Sequence, residues 1–271
     1  MTADRWTQGV RHQLGLGRFL PLGLALDGTW ITEEAAGSVL RREAAAVAGV
    51  RLGALRIALA DPESAGEPAV PPPPSALPPG PLRVTADFGV SADPTAAGAE
   101  PLPAVAARLR LTVVSAATRL LGLDVEEVDL RVTDLLEDSP HPPDGARETP
   151  TAIPADTGTA EGGAEGGGGR RPAPLPKDPE EARIAAVASA VPGVTRLTDV
   201  LGRPVHVESP RATDPALPRR HIRIELAVSG DERTADVARA VRAAVTEAAQ
   251  DAPSVAVLVT AVPPPHPSPR R

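Results

Sequence analysis

The side chains able to do chemistry are few in this chain, and they do not converge in sequence. The five histidines, His12, His141, His206, His221 and His266, fall in five different segments, and no two have the spacing of metal ligands. Asp124, Glu126, Glu127 and Asp129 form an acidic cluster, and a hard cation would need their oxygens to converge. Glu127 and Asp129 instead alternate with Val128 beside Arg131, as on a solvated strand face, so no metal is expected there. Ser115, Ser189 and Ser254 have no base nearby in sequence, which leaves a serine nucleophile without visible activation. Gly15-Leu16-Gly17 follows no strand and lacks the third glycine of a dinucleotide loop. There is no phosphate loop ending in Lys-Ser/Thr, no Gly-x-Ser-x-Gly elbow and no His-Glu-x-x-His helix. With no cysteine, thiol chemistry, disulfides and Cys-ligated metals are excluded. The expectation is a protein that binds rather than catalyses, with no cofactor.

The elements that would position these residues recur. Ala46-Val47-Ala48-Gly49-Val50 returns as Ala190-Val191-Pro192-Gly193-Val194, each at the end of an Ala-rich helical stretch. Thr32, followed by Glu33 and Glu34, caps a helix over 33–47. Arg56 to Leu59 is a short strand candidate, and Leu82, Val84, Ala86, Phe88 and Val90 alternate with polar or small residues as in a half-buried strand. Leu102, Val105, Leu109, Val113, Ala116 and Leu120 trace one face of a helix led by Pro103 and stopped by Gly122, and Val128, Leu130 and Val132 mark a closing strand. The second half repeats this plan with a helix over 180–190, a strand at 222–228, a helix carrying Val237, Val241 and Val245, and a strand at 255–262.

The fold class read from this order is α+β in two layers: two tandem small modules, each a small sheet packed on two helices with its own core. The boundaries fall at 1–28 for an N-terminal docking or anchoring helix, 29–136 for the first module and 180–262 for the second. A Pro-rich insertion at 62–81, holding Pro71 to Pro74, reads as an extended, solvated excursion. Residues 137–179, rich in Pro, Gly and small polar residues, read as a disordered linker that leaves the mutual orientation of the modules variable, and 263–271 reads as a Pro-rich basic tail.

Charge and aromatic content narrow the partners. Residues 29–136 carry 14 acidic against 9 basic side chains, which disfavours a phosphate backbone. Of the 28 basic residues only Lys177 is not Arg, a bias that points to a high-GC bacterium rather than to nucleic-acid binding. Trp6, Phe19, Trp30 and Phe88 are the only aromatics, so base-stacking platforms are lacking and no nucleic-acid partner is expected. No apolar run is long enough to cross a bilayer. In the N-terminal segment Trp6, Val10 and Leu14 lie at helical spacing, with Phe19 beyond them, and either dock on the first module or touch a membrane surface.

The helix ending Ala-Val-x-Gly-Val, the Pro-led helix from Leu102 to Leu121-Gly122-Leu123, and the strand Val125-Glu126-Glu127-Val128-Asp129-Leu130-Arg131-Val132 together resemble the alkaline shock protein family of bacteria, linked to general and envelope stress. The likeness covers about 29–136 and, more faintly, 180–262. It implies a non-enzymatic, cytoplasmic protein that can sit at the inner face of the membrane through partners, and it carries no catalytic residues. The insertion at 62–81, the Arg/Pro interruption of the second half and the two-copy arrangement depart from the compact family pattern. The partner is then this protein itself or another protein. The candidate interface is the last strand, where Val255, Val257, Leu258, Val259 and Val262 make both faces apolar. That strand is covered either by the linker or first module, or by self-association.

Overall fold

The computed structural model describes residues 17–91, 100–136, 178–208, 220–249 and 251–265. The N-terminal half supplies β1 (Phe19–Pro21), β2 (Thr29–Thr32), α1 (Glu33–Ala44), β3 (Val50–Leu59), β4 (Leu82–Ser91), α2 (Leu102–Ala116) and β5 (Val125–Leu136). The C-terminal half supplies α3 (Pro179–Ser189), β6 (Val194–Leu197), β7 (Val205–Glu208), β8 (His221–Val228), α4 (Thr234–Ala248) and β9 (Ser254–Ala261).

Both halves use the repeated Ala-Val-x-Gly-Val segment in the same way. Gly49 and Gly193 adopt φ of 71° and 89°, a left-handed region open to glycine at a helix end. Their carbonyls accept the N–H of Ser91 and Ser229, each at 2.8 Å. Each turn thereby leads a helix into a strand antiparallel to the middle one, β3 against β4 and β6 with β7 against β8. A helix then crosses back, and the last strand joins the middle one in parallel, β5 beside β4 and β9 beside β8. Strand order and sense are the same in the two halves. The expected face of α2 is buried at Val105, Leu109, Val113 and Ala116, and a π-type turn carries the chain from α2 to Gly122.

The halves do not form separate cores. β2 lies parallel to β9, with Thr29 opposite Val257, Trp30 opposite Leu258 and Ile31 opposite Val259. The larger sheet therefore runs β1-β2-β9-β8-β6, with β7 also on β8, while β3-β4-β5 forms the smaller one. A single buried cluster joins Leu40, Phe88 and Leu109 to Ile184, Ile224 and Val241. Two independently covered modules with variable orientation thus give way to one shared core. Helix α1 shows why: it packs against β2, β3, β9 and α2, and it buries Ala35, Ala36, Gly37, Val39, Leu40 and Ala44. Those positions cover more than one helical face, as a helix enclosed on several sides requires, and the small side chains let both sheets approach. Gly122 marks another close contact between the halves, since a Cβ there would lie 2.4 Å from the Ala235 side chain.

The Pro-rich insertion also differs from the solvated excursion expected of it. Val70, Pro73 and Pro79 are buried, and Val70 joins Phe19, Trp30, Ala256 and Leu258 in a second apolar cluster on the outer face of the larger sheet. The Phe19 N–H donates to the Ser75 carbonyl at 3.4 Å, and the Leu77 N–H donates to the Phe19 carbonyl at 2.8 Å. These bonds close the free edge of β1. Replacing Leu258, which is fully buried, with alanine is expected to lower stability by about 3 kcal/mol in urea unfolding. Leu111→Ala, on the exposed side of α2, is expected to change it by less than ~0.5 kcal/mol.

Candidate functional site: the outer face of the larger sheet

Alternation along β8 sends Ile222, Ile224, Leu226 and Val228 into the shared core and turns His221, Arg223, Glu225 and Ala227 to the other face. On β9 the same alternation places Ser254, Ala256, Leu258 and Thr260 on that outer face. Register then builds rows across the strands: Glu208, His221 and Ser254; His206, Arg223 and Ala256; Glu225, Leu258 and Trp30. One end of the face is polar and titratable, and the other is the apolar layer of Trp30, Leu258 and Val70.

At the polar end the His221 Nδ1 lies 2.8 Å from the Ser254 Oγ. Burial pushes the His221 pKa down and outweighs the opposing pull of Glu208; nearby Arg223 and His206 lower it further. A serine beside a neutral imidazole is the beginning of a nucleophile. A relay also needs a carboxylate that orients the imidazole, and Glu208, the registered neighbour, instead bonds the Nε2 of His206 at 3.0 Å. The pair as built holds the histidine at the sheet end.

Glu225 is the unusual group. It has no exposed surface, and it sits where the outer edge strand breaks. β6 pairs with β8 from Leu226 onward and β7 pairs with it up to Ile224, so residues 198–204 bulge out opposite Glu225. Its main chain still reaches both ends of that bulge: the Thr198 N–H donates to its carbonyl at 2.9 Å, and its own N–H donates to the Pro204 carbonyl at 2.8 Å. The side chain holds the middle, with Oε2 accepting the Leu201 N–H at 2.9 Å. Oε1 lies 3.7 Å from Arg223 Nε and has no hydrogen-bond partner among the described residues. Burial raises the carboxyl pKa to about 7, against the lowering effect of the Leu201 and Val200 N–H groups and Arg223; Asp199 adds to the rise. The carboxyl is therefore half-protonated near neutral pH.

The chain matches no family model, no curated protein and no solved structure. Among the described residues no three His, Asp or Glu side chains are grouped to hold a metal ion, and no helix is long and apolar enough to cross a membrane.

The residues singled out from sequence are placed as follows. Val255, Val257, Leu258, Val259 and Val262 are all buried within the chain itself, because β9 is a central strand flanked by β2 and β8. The first half covers this strand, so self-association through it is corrected. Phe19 is buried beside Trp30 and is not available to a membrane, while Trp6, Val10 and Leu14 lie outside the described residues. In the acidic cluster Glu127 pairs with Arg83, which also lies 3.9 Å from Asp129, and both carboxylates stay exposed. Sequence reasoning missed the pairing of His221 with Ser254 and, separately, the burial of Glu225. The available signal was that a strand paired with the doubly apolar 255–262 segment would itself be buried on both faces.

A depressed imidazole pKa has a definite sign. The unfolded histidine takes up a proton near its ordinary 6.5, and the folded one does so only at lower pH. The stability held above pH 6.5 is therefore lost as pH falls through the folded value. Measured by urea unfolding at each pH, the stability difference between the wild type and His221→Gln is expected to shrink or reverse from pH 8 to pH 5.

Proposed function

We propose that this chain works by binding, as a non-enzymatic protein-interaction module, and that its partner is a second copy of itself docked on the free edge of β5. The observation that carries this reading is the state of the strand edges. On β3 the Ile57 N–H is taken by Glu33 Oε1 at 2.9 Å and its carbonyl by Arg18 Nη2 at 2.6 Å. The edge of β1 is closed by residues 75–77. β5 pairs with β4 alone, and among the described residues its one side-chain cap is Arg110 Nε on the Val128 carbonyl at 3.1 Å. Beyond that point no other described residue covers the edge, and an open edge is a template for another strand.

The exposed end of β5 is also apolar. A bulge after Val132 keeps Leu135 on the same face, in line with Phe88 and Val90 of β4. Val132 and Leu135 remain 42% and 62% exposed, an arrangement that a partner sheet would cover. A second copy fits the charge pattern. Arg131 has no ion pair among the described residues, and an antiparallel β5–β5 pairing on a two-fold axis can set it against Asp129 or Asp134 of the other copy. The resemblance to the alkaline shock family extends this to a stress-associated scaffold of the bacterial cytoplasm. Light scattering after size exclusion on the full chain tests the reading. The wild type is expected to dimerise with rising concentration, and Val132→Lys with Leu135→Asp is expected to remain monomeric with unchanged thermal unfolding of the monomer. A wild type that stays monomeric at every concentration, or a double variant that dimerises as the wild type does, would overturn it.

A further inference from the structure

The outer edge of β8 carries a device that the binding reading does not use. Between β6 and β7 the strap 198–204 leaves the ladder and folds over the outer face, where Leu201 packs against the layer of Phe19, Trp30, Val70, Ala256 and Leu258. Three hydrogen bonds with one residue hold the strap. Two are main-chain bonds at its ends, Thr198 N–H to Glu225 O and Glu225 N–H to Pro204 O. The third, Leu201 N–H to the Glu225 carboxyl, holds its crest, where the Val200 N–H is also directed at that carboxyl. Thr198 is further tied to Thr260 by a 2.7 Å bond between hydroxyls, so the base of the strap is pinned independently of the carboxyl. The crest, with Asp199, Gly202 and Arg203 exposed, is not.

We propose that the strap is a cover over the Trp30–Leu258 face, closed while the Glu225 carboxyl is protonated and released when it ionises. The closed strap leaves this carboxyl with no solvent contact and with Oε1 unpartnered among the described residues, and such a site disfavours a charge. Opening the crest admits water to it. The charged groups that face it are Arg223 on its own strand and Asp199 on the strap, which act in opposite senses. From β9 and β2 its registered neighbours are Leu258 and Trp30, which carry no charge to offset ionisation. Because the closed state binds the proton more tightly than the open one, raising the pH favours opening. The shift of the carboxyl from 4.5 to about 7 limits the total change in the closed-to-open ratio to ~300-fold, reached only when the pH runs well below the lower value and well above the higher one.

Amide hydrogen exchange on the full chain, corrected for the intrinsic pH dependence of exchange, measures this ratio at Val200 and Leu201. Protection of these amides is expected to fall between pH 5 and pH 8 in the wild type, by about 70-fold, while protection of Val257 in β9 stays constant. Glu225→Gln, which keeps the shape of the protonated form, is expected to abolish the pH dependence. Asp199→Asn, at an exposed position, is expected to move its midpoint to lower pH. Strap protection that does not change with pH, that falls equally in Glu225→Gln, or that falls in step with Val257 as in global unfolding, would each overturn the proposal. So would an Asp199→Asn midpoint that does not move.

Discussion

The parallel pairing of β2 with β9 is the contact on which the rest of the structure depends. It joins residues more than 200 positions apart, and it turns what would be the exposed edge of the C-terminal sheet into its centre. Without it, Val257, Leu258 and Val259 would face water along a bare ladder, and the outer layer of Trp30 and Val70 would have no floor. With it, α1 follows directly from β2 through the Thr32 cap, whose side chain accepts the Ala35 N–H at 3.2 Å, and is delivered between the two sheets. One strand pairing therefore fixes the position of a helix, a second apolar layer and the shared core.

The same pairing explains the distribution of polar groups. Because β9 is central, its neighbour β8 is buried on both faces, and the polar side chains it carries outward must be satisfied locally or remain uncharged. His221 is held by Ser254 and stays neutral. Glu225 takes strap N–H groups in place of a broken ladder and keeps its proton to higher pH than an exposed glutamate. These two groups respond to pH in opposite directions: protonation of Glu225 suits the folded state, and protonation of His221 opposes it.

Elements whose signal is local were legible in the sequence. The apolar faces of α2 and α4, the alternation of 82–90, 128–132 and 222–228, the Thr32 cap and the Gly122 stop all follow from spacing within a few residues. The double apolarity of 255–262 was legible as a demand for cover. What supplies the cover was not, because a parallel pairing between Thr29–Thr32 and the last strand leaves no periodic trace in four residues. The Pro-rich insertion misled for a related reason: its prolines match a solvated chain, yet Val70, Pro73 and Pro79 are placed by the apolar layer they complete. Glu225 looked like an ordinary polar alternate, since its burial comes from strap 198–204 and β9 and not from its own strand.

The most direct test of the shared sheet is the exchange of backbone amides in Thr29–Thr32 and Ser254–Ala261, measured together on the full chain under native conditions. If β2 is a central strand of one cooperative sheet, both segments exchange only through the same large opening, with matching opening free energies and matching responses to added denaturant. Rapid exchange of Thr29–Thr32 beside a fully protected Ser254–Ala261 would mean that the C-terminal half closes its core without the N-terminal one, and the account of a shared core would fail.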